Sequence, residues 1–146
     1  MNKEELLHKA IKIACRAHKG QKDKYDMAYI NHVLRVSNMG KTMDEKIVGA
    51  LHDVVEDSDI DLADLIDEGF PPHIVEAVRC ITKVSDDEDY EMLIQRIETS
   101  PLAIAVKIND LADNMDLKRM PRLLEKGDLK RFNKYIKYYR YLTEKY

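Results

Sequence analysis

The segment LHDVVEDS, residues 51–58, sets an imidazole and a carboxylate side by side, His52 and Asp53, among Leu and Val. Burying that pair among apolar side chains is costly unless something compensates it. A cation is one natural partner, because imidazole nitrogen and carboxylate oxygen together suit Mn, Fe, Ni or Zn. The competing reading is a core histidine beside a helix-internal salt bridge. Glu56 and Asp57 follow at i+3 and i+4 from Asp53, so on a helix they return to its face. With a cation at His52-Asp53 they are placed to orient a water and handle its proton. Without one, they and Asp59, Asp61 and Asp64 form a solvated acidic connection.

Two further stretches carry polar groups in unexpected company. In VKINDLADN, residues 106–114, the spacing puts Lys107, Asp110 and Asn114 on one side of an apolar helix. Asp110 can then be an anionic ligand from a second helix, and Asn114 can bond a ribose or phosphate. The alternative is a Lys107-Asp110 ion pair with a polar helix end. In AHKGQKDKYDMAYINH, residues 17–32, His18 and His32 flank a loop containing Lys19, Lys22 and Lys24. His32 is a candidate ligand, and the loop's Lys and Tyr can meet a phosphate or a base. His8 and His73 have no such neighbours and read as ordinary exposed histidines.

The elements that must position these groups are helical. Apolar residues recur at helical spacing over 3–19, 29–39 and 61–68, and Gly20, Gly40 and Gly69 follow as stop signals. Thr42 and Glu45 fit a capping box ahead of a nearly all-apolar helix through Val55, which places His52-Asp53 inside the buried central helix. Pro71 or Pro72 opens a helix to Ile81, Tyr90–Ile97 is a short one, and Ser100-Pro101 opens Leu102–Asp116. The last helix, Asp128–Lys145, turns Phe132, Tyr135, Ile136, Tyr139 and Leu142 inward. No segment alternates like a strand, so the expectation is an all-α, multi-helix single domain over residues 1–146.

Composition agrees. At 146 residues and 45% hydrophobic content, one core closes without staples. The longest uncharged run falls far short of a membrane span, and the start, MNKEELLHKA, has no apolar leader, so a cytoplasmic protein is expected. Cys15 and Cys80, far apart on amphipathic segments, read as a reduced and buried pair of thiols. From Leu117 onward there are ten Lys/Arg against three Asp/Glu, which leaves the body strongly acidic within a formal net charge of −3. An acidic body argues against a nucleic-acid platform and suits a site that concentrates a divalent cation. The basic, Tyr-rich end packs its aromatics inward and leaves Lys130, Lys134, Lys137 and Lys145 as a solvated face.

AHKGQ, AYINH, ALHDVVEDS, the Gly69–Lys83 stretch and VKINDLADNMDL, in this order, resemble the HD-domain metal-dependent phosphohydrolases. More narrowly they resemble the hydrolase domain of Rel/SpoT-type alarmone enzymes and their small standalone relatives, over roughly Ile11 to Met120. The resemblance implies an HD bundle in which His32, His52, Asp53 and Asp110 hold one divalent ion, commonly Mn²⁺. Glu56 and Asp57 fall on the family's acidic pair, and Lys24 and Asn114 on its substrate-side residues. It further implies removal of pyrophosphate from the 3′ position of guanosine 3′,5′-bis(diphosphate) or a related nucleotide. At this length there is no room for a synthetase domain beside the hydrolase. A different class of function is a degenerate HD module that binds a nucleotide or partner without turnover. Rel/SpoT hydrolases typically carry Arg-Lys where this chain has Asp23-Lys24, and His-Asn-Met-Arg where it has Asp113-Asn114-Met115-Asp116. Asp23 and Asp116 are therefore expected to weaken attraction for a highly charged nucleotide.

Overall fold

A computed structural model describes all 146 residues as nine α-helices with no β-strands. They are α1 (Lys3–Ala17), α2 (Tyr29–Met39), α3 (Met43–Leu51), α4 (Val54–Asp57), α5 (Leu62–Asp67), α6 (Pro72–Ile81), α7 (Tyr90–Ile97), α8 (Pro101–Asn114) and α9 (Lys126–Lys145), with a 3-10 turn at Leu117–Arg119. The start signals read from sequence are the ones used. Thr42 accepts from the Glu45 amide while Glu45 reaches back to the Thr42 amide, and Ser100 accepts from the Ala103 amide. Apart from the central helix, helix ends fall within about two residues of their expected positions.

The central element is α3. Its last five residues, Ile47 to Leu51, are fully buried, and it packs against α1, α2, α6 and α8. A contiguous apolar core surrounds it, joined from the far end by Tyr138 and Leu142 of α9. No helix is long and apolar enough to cross a membrane. Gly49 lets α2 approach: a Cβ there would lie 2.9 Å from the Ser37 Cα and 3.1 Å from the Ser37 nitrogen. Backbone cannot give way as a side-chain tip can, so Gly49→Ala is expected to destabilise the fold by about 1–3 kcal/mol. Urea denaturation would check this, and an unchanged midpoint would mean that the two helices part without cost.

Three expectations are corrected. His52 and Asp53 do not lie inside one helix: α3 stops at Leu51, and Asp53, at φ −110° and ψ 0°, breaks the chain before the single turn of α4. The two thiols are not both buried, since Cys15 sits on the solvent side of α1 while Cys80 is in the core. On α9, Tyr138 rather than Ile136 faces inward, because the helix meets α8 with the stripe Phe132, Tyr138 and Leu142 and leaves Ile136 exposed.

Candidate metal centre and nucleotide cleft

Three chain regions converge on one point. His32 comes from the first turn of α2, His52 and Asp53 from the break between α3 and α4, and Asp110 from α8. One ligand atom from each lies within 4.8 Å of all the others. His52 Nε2 is 3.0 Å from Asp53 Oδ2 and 3.3 Å from Asp110 Oδ1, and His32 Nε2 is 3.0 Å from the same Asp110 oxygen. The helix break makes this possible, because neighbours on a continuous helix diverge by about 100°.

The ring orientations are fixed from behind. His52 Nδ1–H donates to the Gly49 carbonyl at 2.6 Å, and His32 Nδ1–H donates to Asp113 Oδ2 at 2.6 Å. In the neutral rings both Nε2 atoms therefore carry lone pairs, aimed at carboxylate oxygens. His52 Nε2 is buried and has no hydrogen-bond partner. Lone pairs facing anions require positive charge between them. Protons can supply it: although burial opposes it, Asp110 and Asp113 raise His32, and Asp53 and Asp110 raise His52 well above the ordinary value. Conversely, against its own burial, Asp53 is held below the ordinary carboxylate range by His52. A divalent ion answers the same demand with two nitrogen and two oxygen ligands, the donor set that borderline transition metals take.

Outer groups hold the carboxylates. Tyr29 Oη–H donates to Asp53 Oδ2 at 2.6 Å, Lys107 Nζ donates to Asp110 Oδ2 at 3.0 Å, and Asn114 Nδ2 donates to Asp110 Oδ1 at 3.1 Å. Such outer partners orient ligands and tune their basicity. The Lys107-Asp110 pair weighed against a functional Asp110 is thus present in addition to the cluster. Asp113 is clamped by Arg35 and Arg119, which with His32 hold its carboxyl at about 2 in spite of burial.

Glu56 and Asp57 lie on α4, where Glu56 lines the smaller lobe of the cleft that opens from the centre and Asp57 lines neither lobe. Glu56 accepts from the Lys83 amide at 3.0 Å. Partial burial and the charges of Asp53 and Glu56 push Asp57 up to about 7, where a carboxyl can both take and return a proton near neutral pH. Unfolding returns the group to the ordinary carboxylate range. Between roughly pH 4 and 7 the folded chain therefore binds more protons than the unfolded chain, and Asp57 withdraws stability as pH rises through that window. Asp57→Asn should accordingly stabilise the metal-free protein relative to wild type at pH 8 but not at pH 4. Paired urea melts would test this, and a pH-independent difference would contradict it.

The centre opens into a cleft with two lobes, of about 330 and 240 Å³, that share Lys24, Tyr29, Asn114 and Tyr135. The larger is framed by Tyr25, Tyr29 and Tyr135. The smaller, above Asp53 and Asp110, is ringed by Lys24, Lys83, Lys107 and Lys134. Only Lys107 of these four has a carboxylate partner. Burial and mutual repulsion push Lys24 and Lys134 below the ordinary lysine value. Sequence reading placed Lys24 and Asn114 at this cleft, and both line it. It gave no role to Tyr29 or Asp113, and it put Lys134 on the solvated face, where the side chain is exposed but also lines the smaller lobe. It also gave no role to Lys83, Tyr135, Arg119 or Arg131. Lys83 closes the Gly69–Lys83 stretch, so its position carried a signal; Lys134 reaches the cleft only because α9 packs across α8.

Other polar residues take different places. His18 is buried, with Nδ1 donating to Gln21 Oε1 at 2.8 Å, while His8 and His73 are exposed as expected. Asp23 lines the larger lobe, where its carboxylate accepts from the Tyr25 and Met27 amides and from Arg119 at 3.0 Å, so the negative charge expected to weaken attraction for an anion is paired there with a guanidinium. Asp116 caps the 3-10 turn through the Lys118 amide and lines a separate groove with Arg35 and Met39.

No protein-family model matches the sequence. The guanosine-3′,5′-bis(diphosphate) 3′-pyrophosphohydrolase of Aquifex aeolicus (strain VF5) is 29% identical over 122 residues. That match takes in 76% of this chain and 17% of the relative, so the chain spans about a sixth of the relative's length. A solved structure, reported as a metazoan ortholog of SpoT that hydrolyzes ppGpp and plays a role in starvation responses, superposes with a TM-score of 0.74 at 25% identity. It covers 94% of this chain and 84% of its own. The chain resembles the Rel/SpoT-type HD hydrolases. The likeness to the solved hydrolase runs through nearly all of the helical bundle.

Proposed function

We propose that residues 1–146 form one catalytic unit, a divalent-metal-dependent phosphohydrolase that removes pyrophosphate from the 3′ position of guanosine 3′,5′-bis(diphosphate) or a close relative of it. The observation that carries this reading is the four-residue cluster at the floor of a cleft with unpaired lysines on its wall. The relatives' activities agree with it. His32, His52, Asp53 and Asp110 would hold the ion, with Mn²⁺ the natural occupant of such a set. When bound, a divalent ion there supplies Lewis acidity, which polarises a phosphoryl oxygen and makes water a stronger acid.

The chain's own groups do the rest. Glu56 and Asp57 orient the attacking water and take its proton. Water adds to the 3′-linked phosphorus, the P–O3′ bond breaks, and the proton held by the acidic pair can pass to the departing 3′ oxygen. Pyrophosphate and guanosine 5′-diphosphate result. Lys24, Lys83 and Lys134 neutralise phosphate charge at the smaller lobe, and the tyrosines of the larger lobe offer faces to a base or ribose. Asn114, one turn beyond Asp110, stands between the lobes and can bond the nucleotide while steadying Asp110.

Incubating Mn²⁺-loaded protein with guanosine 3′,5′-bis(diphosphate) and a panel of 3′- and 5′-phosphorylated nucleotides tests the proposal. Release of pyrophosphate from the 3′-diphosphate, absent in chelator, is the expected result. Metal-loaded protein that binds these nucleotides and releases neither phosphate nor pyrophosphate would favour a binding module instead.

A further inference from the structure

The metal cluster and the loop that carries Lys24 are joined by an unbroken chain of bonds. His32 Nδ1–H donates to Asp113 Oδ2 at 2.6 Å. Arg119 donates through NH1 to that same oxygen at 3.1 Å and to the Asp113 carbonyl at 3.0 Å. Its NH2 reaches Asp23 Oδ2 at 3.0 Å, and Asp23 Oδ1 accepts from the amides of Tyr25 and Met27 at 2.8 and 3.0 Å. The loop is a tight turn closed by a Lys22–Ala28 bridge, with Asp26 at φ 62°, a conformation that non-glycine residues rarely hold unaided. Asp23 is the group that gathers its backbone, and Arg119 is the only side chain paired with Asp23. Arg119 also lies against the Tyr25 ring, 5.6 Å from its centroid, and lines the larger lobe.

We propose that Arg119 is a positioning residue that couples the metal cluster to residues 22–28, so that a cation bound at His32 stiffens the loop presenting Lys24 and Tyr25. This deepens the metal-site reading and rests on it. The physical basis is shared ordering. A cation on Nε2 fixes the His32 ring and polarises its Nδ1–H, which ties down Asp113. The guanidinium fork, held between two carboxylates, then has less freedom, and so does the turn gathered on Asp23. By reciprocity, a nucleotide that orders the loop tightens the cation. A lysine at 119 would keep the charge but not the fork that spans both carboxylates.

Deuterium uptake of residues 22–28, measured with and without Mn²⁺ and no nucleotide present, tests the coupling directly. Uptake over α1, residues 3–17, measured in the same samples, reads any global stabilisation. In wild type, Mn²⁺ should slow exchange of the loop amides about fivefold or more than it slows those of α1, the lower end of ordinary coupling between sites. In Arg119→Lys and in Asp23→Asn, which keeps an acceptor for the two amides, Mn²⁺ should still bind one per chain while the loop effect shrinks below about twofold. Equal slowing in all three proteins, or none in Mn²⁺-bound wild type, would overturn the coupling. If Mn²⁺ binds and nucleotide is hydrolysed while the loop is indifferent, the coupling alone fails. If calorimetry detects no Mn²⁺ binding to wild type, the metal-site reading fails and the coupling with it.

Discussion

Asp53→Asn is expected to lose divalent-metal affinity and nucleotide hydrolysis together while helix content stays near wild type. The substitution removes one of the two anionic ligands without shortening the side chain, and Tyr29 can still donate to the remaining oxygen. Outer partners of metal ligands are worth about 10- to 100-fold in affinity or activity, so loss of a direct carboxylate should exceed about 100-fold. Titration of Mn²⁺ by calorimetry, alongside turnover and circular dichroism, measures all three quantities. Full turnover by Asp53→Asn in metal-free buffer would contradict the assignment. A collapse of helix content would instead show that Asp53 serves mainly to shape the α3–α4 break.

Glu56→Gln and Asp57→Asn should separate chemistry from metal binding. Neither residue belongs to the four-atom cluster, yet both sit on the single turn of α4 that follows Asp53. Each variant should keep one ion per chain and lose roughly 10²- to 10⁴-fold in kcat, the usual worth of a proton-transfer group. The two effects need not be equal. Glu56 is tethered to the Lys83 amide and lines the smaller lobe, whereas Asp57 lines neither lobe, so the two losses report on groups held differently. Loss of the ion in step with kcat would move these residues from proton handling to metal retention.

Much of this architecture was legible in the residues because it is written locally. Capping boxes, Pro at helix starts and apolar periodicity marked every helix but the central one to within a couple of residues. His52 and Asp53 stood out because two ionisable side chains in an apolar run require compensation, and Asp110 stood out on α8 for the same reason. Non-local facts were hidden. That α3 ends at Leu51 and α4 starts only at Val54 is not announced locally, because LHDVV contains neither Gly nor Pro. That Asp23 is ion-paired depends on Arg119, 96 residues later. Taken in isolation Asp23 looks like a lone charge opposed to a polyanionic substrate, whereas in the fold it lines the cleft ion-paired and also gathers a loop. Lys134 likewise reads as solvent-facing until α9 is laid across α8, which brings its ammonium 4.5 Å from the centre of the Tyr90 ring at the cleft.

Everything proposed for the cleft depends on four side chains sharing one divalent ion. A crystal structure of the protein soaked in Mn²⁺, with anomalous data at the manganese edge, tests that most directly. One strong peak should lie within about 2.0–2.3 Å of His32 Nε2, His52 Nε2 and an oxygen each of Asp53 and Asp110, ordinary bond lengths for nitrogen and oxygen on such a metal. No peak among these four residues, or a peak held by surface carboxylates alone, would contradict it.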